Sequence, residues 1–190
     1  MLALHDLGAR DGFPVKVTDD PAALRDPRLA DFAAVVLLHT TGDFLDSAEQ
    51  SALQRYVHGG GGVIGMHGAL DGESDWGWYH RLLGAEFAGH PDIQRATLVP
   101  GDWDRTDEWY NYAAPPTGVE VLLGVDERSY HGGRMGPSHP VTWRHDFEGG
   151  RVWYTAMGHT VCSYAEPRLL AHLLAGIRWA ARGGESSTLD

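Results

Sequence analysis

Cysteine is almost absent from this chain: Cys162 is the only one in 190 residues. No intrachain disulfide can form, and nothing points to an oxidising compartment. Positive charge is scarce as well. Fifteen Lys and Arg stand against 26 Asp and Glu, a formal charge of -11, which repels phosphate backbones and sets nucleic acid aside as a partner. The acidity reads first as a solvated surface. No apolar run approaches the roughly 20 residues that span a bilayer. Met1 to Asp6 carries neither a basic nor an apolar leader segment. No membrane partner and a cytoplasmic location are therefore expected. The length suits one well-buried core and not two, so a single domain over residues 1–182 is expected, with 183–190 as a frayed tail.

What is present alternates apolar runs with helical patterns. Leu4 and Leu7 share a helical spacing that ends in the breaker Gly8 to Gly12, after which Phe13 to Val17 reads as a short strand. Asp19-Asp20-Pro21 opens a polar helical turn. Phe32 to Leu38 is the continuous apolar run of a buried parallel strand. Asp46 with Glu49 three residues on forms a capping-box pattern, and Ala48, Ala52, Leu53, Tyr56 and Val57 fall on one helical face. Gly59 to Gly62 ends that helix, and Val63 to His67 is the next buried strand. Strand, helix and strand in succession describe a parallel α/β unit. Further on, Trp76 to Leu83 reads as a short helix and Arg168 to Arg182 as a long one with an apolar face. Residues 94–99, 108–112, 120–125, 141–143 and 152–156 read as strands.

Open α/β sheets bind ligands at the carboxyl ends of their strands, so the residues just after each apolar run are the first candidates. His67 ends a strand within Gly65-Met66-His67-Gly68-Ala69, whose small residues suit a tight elbow that lifts one side chain into a pocket. The alternative is an imidazole that only bonds the neighbouring loop. His159 follows the run 152–156, His90 lies in a turn, and His139 precedes a strand. Period-two spacing puts Thr106, Glu108, Tyr110 and Tyr112 on one strand face, where Glu108 serves as acid, base or metal ligand, or else pairs with Arg105 at the surface. Asp71, Glu73 and Asp75 line the pocket or belong to a solvated loop, the loop being favoured for Glu73. Trp76, Trp78 and Trp109 lie near the expected mouth, where flat rings suit sugar faces as well as cores, whereas Trp153 and Trp179 read as core. No local histidine spacing spells a zinc motif. Proton transfer by His67, Glu108 and His159 needs no metal, while a divalent ion such as zinc would require at least three of His67, His90, Glu108, His139 and His159 to converge.

Several ordered blocks together resemble ThuA-like, trehalose-utilisation domains: Thr40 to Asp43, Gly60 to Ala69, Asp75 to Tyr79, Gly89 to Pro91, Thr106 to Asn111, Leu123 to Tyr130, Gly136 to Trp143, Gly150 to His159 and Ala171 to Ile177. The resemblance runs over nearly the whole chain. It implies a three-layer α/β sandwich with a mostly parallel, flavodoxin-like sheet, similar to class I glutamine amidotransferases, and a carbohydrate ligand such as trehalose or an oxidised disaccharide. In the amidotransferases the elbow carries a nucleophilic cysteine; His67 stands at the matching position here, so glutaminase activity is not expected. His159 matches the place of their catalytic histidine. The resemblance also implies an opening strand, with an Arg-His loop, ahead of the helix that starts at Met1. Either the recorded start is too late, or the sheet closes up, or another segment or a second subunit fills the place of that strand, which makes a homo-oligomer one alternative. The stretch Val99 to Trp103 is shorter than its counterpart in relatives. Three readings follow: a sugar-metabolising enzyme using His67, Glu108 and His159, with Asp71, Trp76, Trp78, His90, Trp109, Tyr110 and His139 around the substrate; a non-catalytic carbohydrate-binding or assembly module; and a metal-dependent hydrolase.

Overall fold

The computed structural model describes residues 2–101, 103–137 and 139–181. The tail expected at 183–190 lies outside the described residues.

Helix α1 (Leu2–Asp11) places Leu4 and Leu7 in the core. Two 3-10 turns follow at Pro21–Arg25 and Pro27–Asp31, each capped by an aspartate, Asp20 and Asp26, that accepts a backbone N–H two residues on. Strand β1 (Ala34–Leu38) leads to helix α2 (Ser47–His58), whose capping box is complete: Asp46 accepts from the Ala48 and Glu49 amides, and Glu49 accepts in return from the Asp46 amide. Strand β2 (Gly62–Met66) is buried along its length, and helix α3 (Gly77–Leu83) follows. Then come β3 (Phe87–Gly89), β4 (Gln94–Val99), β5 (Trp103–Asp107), β6 (Asn111–Tyr112), β7 (Glu120–Val125), β8 (His139–Phe147) and β9 (Gly150–Thr155). Helix α4 (Pro167–Ala181) closes the fold.

Seven strands form one curled sheet in the order β1-β2-β9-β8-β7-β4-β5, and β3 pairs with β6 in a small second one. Only β1-β2 and β2-β9 are parallel; the four remaining pairings are antiparallel. The sheet is thus mixed, which corrects the expectation of a mostly parallel one. The reason is local. Parallel neighbours need a long crossover, but β8 and β9 are joined by the two-residue turn Glu148-Gly149, whose φ values of 47° and 101° give the mirror-image turn that suits a tight hairpin.

Along β9, alternate residues face opposite layers. The Trp153 ring lies so close to Gly176 of α4 that a Cβ there would sit 2.4 Å from it, while Tyr154 shares the other face with Leu83 of α3. Helices therefore cover both faces, as a three-layer arrangement requires.

Three further expectations are corrected. Phe13 to Val17 is irregular and not a strand, because among the described residues no strand lies alongside to complete its ladder, and β1 stands at the edge of the sheet. The strand expected over 108–112 is split: β5 ends at Asp107, Glu108 to Tyr110 have no regular structure, and only Asn111 and Tyr112 pair with β3. Trp179 is half-buried under the guanidinium groups of Arg144 and Arg151 and lies outside the sealed core.

Candidate functional site

Three chain segments that are remote in sequence meet at one end of the sheet. His67 directly follows β2 and has φ of +46°, a left-handed conformation costly for a residue with a Cβ. Its neighbours are small because space demands it: a Cβ on Gly68 would lie 2.9 Å from the Thr41 side chain and 3.2 Å from the His39 backbone. Met66 and Thr155 are paired partners on adjacent parallel strands, so the loop after β9 emerges beside His67 and carries His159. Glu108 arrives from the far edge, just after β5.

The imidazole of His67 donates from Nδ1 to the Ala156 carbonyl at 2.7 Å. A carbonyl only accepts, so this bond fixes the tautomer and leaves Nε2 as a lone pair. Burial is the main influence holding the His67 pKa below the ordinary range, and the ring stays neutral. Its Nε2 lies 3.1 Å from Glu108 Oε2 and 3.0 Å from His159 Nδ1, and those two atoms are 3.2 Å apart. His67 and Glu108 are buried side chains, at 2% and 10% exposure, while His159 keeps 34%. The centre is reached from the His159 side.

Around it lie His90, Asp71 and Tyr110. His90 Nδ1 is 3.2 Å from Glu108 Oε1 and 2.9 Å from the Pro91 carbonyl, and its ring is stacked on Tyr110 with centroids 6.0 Å apart. Partial desolvation raises the pKa of the exposed Asp71; Glu108 adds to this and His90 opposes it. The Tyr110 ring sits 4.4 Å from that of His67. Burial, reinforced by Glu108, Asp71 and Asp107, pushes its phenol well above 10.0 and keeps it protonated.

Other candidates are placed elsewhere. His139 is sealed in the core, with Nε2 donating to the Tyr110 carbonyl and Nδ1 beside Tyr130 and Glu127. Trp109 is fully buried and donates to the Gln94 carbonyl. Trp78 points to the β8–β9 hairpin, where its indole donates to Glu148. Trp76 stacks on Trp78 and Tyr79 and lines a separate depression of about 230 Å³ with Asp43, Leu45, Gln50, Glu73 and Asp75. Glu73 is not a solvated loop residue: it is 2% exposed and accepts from the Phe44 and Leu45 amides and from Gln50. A larger depression, about 600 Å³ between Val99, Asp126, Glu127, Arg128, Gly136 and Pro137, is not lined by His67, Glu108 or His159. Volume alone supplies no reactive group, whereas the convergence of His67, Glu108 and His159 does.

Two contributors escaped the sequence reading. His39, at φ of +54° directly after β1, bonds the Gly158 carbonyl at 3.0 Å, and its ring is 5.1 Å from that of His67. Its position immediately after an apolar run was the available signal. Asp107 is buried and accepts from the amides of Gly158 and His159. Arg105 pairs with Asp107 and Glu166 and not with Glu108.

The sequence matches the family described as ThuA, trehalose utilisation, over residues 1–180. The chain belongs to the ThuA family. Solved ThuA-like proteins share its fold. One from Bacteroides uniformis superposes with a TM-score of 0.79 at 23% identity, covering 94% of this chain and 81% of that one. Another, from Parabacteroides merdae, gives 0.77 at 20% identity, with 96% and 84% covered. An exo-beta-1,4-mannosidase of an Opitutaceae bacterium matches over 95% of this chain but only 28% of its own length, with a TM-score of 0.53 and 17% identity. No curated protein matches the chain. In this ThuA family member the atoms of His67, Glu108 and His159 are placed so that they could hold a metal ion. Ligands about 2.1 Å from an ion and 90–110° apart are themselves about 3.0–3.4 Å apart, and the three observed separations, 3.0, 3.1 and 3.2 Å, fit. Among the described residues no helix is long and apolar enough to cross a membrane.

Proposed function

We propose that this chain is a sugar-acting enzyme whose reacting centre is a divalent metal ion held by His67 Nε2, Glu108 Oε2 and His159 Nδ1. One observation carries the reading. His67 spends its only proton on Ala156, so a bare nitrogen lone pair faces a carboxylate oxygen at 3.1 Å. Two such acceptors repel unless a cation or a proton lies between them. Two imidazoles and one carboxylate on one side of an ion, with the remaining positions open, are the donor set of catalytic zinc and non-haem iron sites.

The ion would supply Lewis-acid polarisation of a sugar oxygen. The chain's own groups do the rest. Glu108 keeps Oε1 3.2 Å from His90 Nδ1, whose proton is shared with the Pro91 carbonyl, so a protonated His90 can hand that proton to Glu108. Tyr110, kept protonated, donates a hydrogen bond, and Asp71 accepts from sugar hydroxyls at the rim. The family description, trehalose utilisation, supports a sugar ligand, and we take trehalose or a related or oxidised disaccharide as the candidate.

A second reading is favoured by the exposure of His159: its Nδ1 proton shared between His67 and Glu108 would satisfy the same distances without a metal and leave an acid-base pair. Elemental analysis of the purified protein separates the two. About one zinc, iron or manganese ion per chain, lost in His67→Ala together with turnover of trehalose or a keto-disaccharide, is expected. A metal-free protein with full turnover would establish the proton version, and sugar binding without turnover would make the chain a recognition module.

A further inference from the structure

The three donors are held by backbones of very different origin, and two of them depend on one buried carboxylate. Asp107 ends β5 and is fully buried. Its Oδ1 accepts from the His159 amide at 3.0 Å and from the Glu108 amide at 3.1 Å. Its Oδ2 accepts from the Gly158 amide at 2.8 Å and pairs with Arg105 Nη2 at 2.8 Å. Arg105, itself 4% exposed, is held from behind by Glu166 at 2.9 Å and by Ser163 at 3.1 Å. Four N–H groups therefore converge on one carboxylate, the most that its lone pairs accommodate.

We propose that Asp107 is the positioning residue of this centre, a buried carboxylate that sets the Glu108 and His159 donors at the mutual distance a metal ion requires. The proposal rests on reading His67, Glu108 and His159 as a metal site. Its physical basis is rigidity. Glu108 comes from the strand at one edge of the sheet and His159 from a loop 51 residues later. A donor pair built from such separate segments drifts unless something common to both ties it down. Asp107 bonds the backbone of both residues and not their donor atoms, so it acts on the ion chiefly through placement, with its negative charge, which also reaches His67, as a second contribution. Outer-shell groups of this kind typically contribute 10–100-fold in metal affinity.

The test uses Asp107→Asn, which keeps the shape but offers one acceptor oxygen and turns an NH2 toward groups that only donate. Zinc affinity is measured by competition with a chromophoric chelator, and the visible spectrum of the cobalt(II) form reports coordination geometry. Zinc binding 10–100-fold weaker and an altered cobalt spectrum, with unchanged circular dichroism, are expected. If the loss of one of the two carboxylates around buried Arg105 prevents folding, the double variant Arg105→Met with Asp107→Asn removes the buried guanidinium as well, and the same loss of affinity is expected from it. Wild-type zinc affinity and cobalt spectrum in either folded variant, even with a lowered melting temperature, would reduce Asp107 to a structural residue and overturn the proposal. A wild-type protein that takes up neither ion would instead refute the metal reading itself, and this proposal with it.

Discussion

His67 donates its Nδ1 proton to the carbonyl of Ala156, 2.7 Å away, and this bond decides which edge of the imidazole is left for chemistry. The bond joins the ends of two neighbouring parallel strands, β2 and β9, so the sheet itself sets the tautomer. Burial then keeps the ring neutral. The elbow position, the tautomer and the neutrality all point the same lone pair at Glu108 and His159.

His67→Phe keeps a buried aromatic ring, somewhat larger than imidazole, and removes both nitrogens. Metal uptake and turnover are expected to vanish. Leaving the Ala156 carbonyl without its partner should cost about 1–3 kcal/mol of stability, read by urea denaturation. Unchanged metal content would mean that His67 is not a ligand.

Acid sensitivity should have a traceable source in His172. Burial, with a smaller contribution from Arg105, pulls its pKa from 6.5 down to about 4. As pH falls the unfolded chain takes up this proton first, so the stabilisation is complete above 6.5 and is lost between 6.5 and 4. About 3.5 kcal/mol is the upper bound at about 1.4 kcal/mol per pKa unit. His172→Gln can still reach Thr142 and does not titrate. It should flatten the fall in unfolding free energy across that window; equal slopes in both proteins would contradict the assignment.

Much of the architecture was legible because it is local. Asp46 and Glu49 mark the start of α2 by their spacing, and the apolar runs that became β1 and β2 declared themselves by length and composition. The site was half legible for the same reason: His67 and His159 follow such runs, and strand ends are where ligands bind. What stayed hidden depends on pairing between distant segments. Nothing near Glu108 tells that β5 runs antiparallel at the edge of a curled sheet and delivers its end to the loop after β9. Nor does composition separate Trp109, sealed in the core, from Trp76 at a surface depression. Phe13 to Val17 has the composition of a strand, yet a strand exists only through its ladder.

Packing between α4 and β9 can be tested at Gly176. A Cβ there would meet the Trp153 ring at 2.4 Å, a rigid neighbour buried in the core. Alanine normally gains about 1 kcal/mol over glycine within a helix. Gly176→Ala should instead destabilise by about 1–3 kcal/mol through overpacking. A gain in melting temperature would show that helix and sheet can separate at little cost.

Glutamine should not be a substrate. The elbow holds an imidazole, and Cys162 sits exposed on the 3-10 turn Val161–Ala165. A coupled assay for ammonia released from glutamine should stay at the buffer blank, and release that disappears in Cys162→Ser would prove otherwise.

His90 and His139 should part company under mutation. His90 is 40% exposed and touches Glu108 Oε1, not the oxygen that faces His67. His139 is fully buried and uses both ring nitrogens on Tyr110, Tyr130 and Glu127. His90→Ala should leave the melting temperature unchanged and lower turnover by tenfold or more, within the usual range for lost proton transfer of about 10²–10⁴. Zinc affinity should fall by no more than the 10–100-fold typical of an outer-shell partner, because His90 bonds Glu108 Oε1 and is not one of the three donors. His139→Ala should do the opposite: a destabilisation of about 2–4 kcal/mol from a cavity and unpaired buried polar groups, with metal content intact in whatever folds. The decisive measurement is the pair of zinc affinities, and a loss confined to His139→Ala would move the centre away from Glu108.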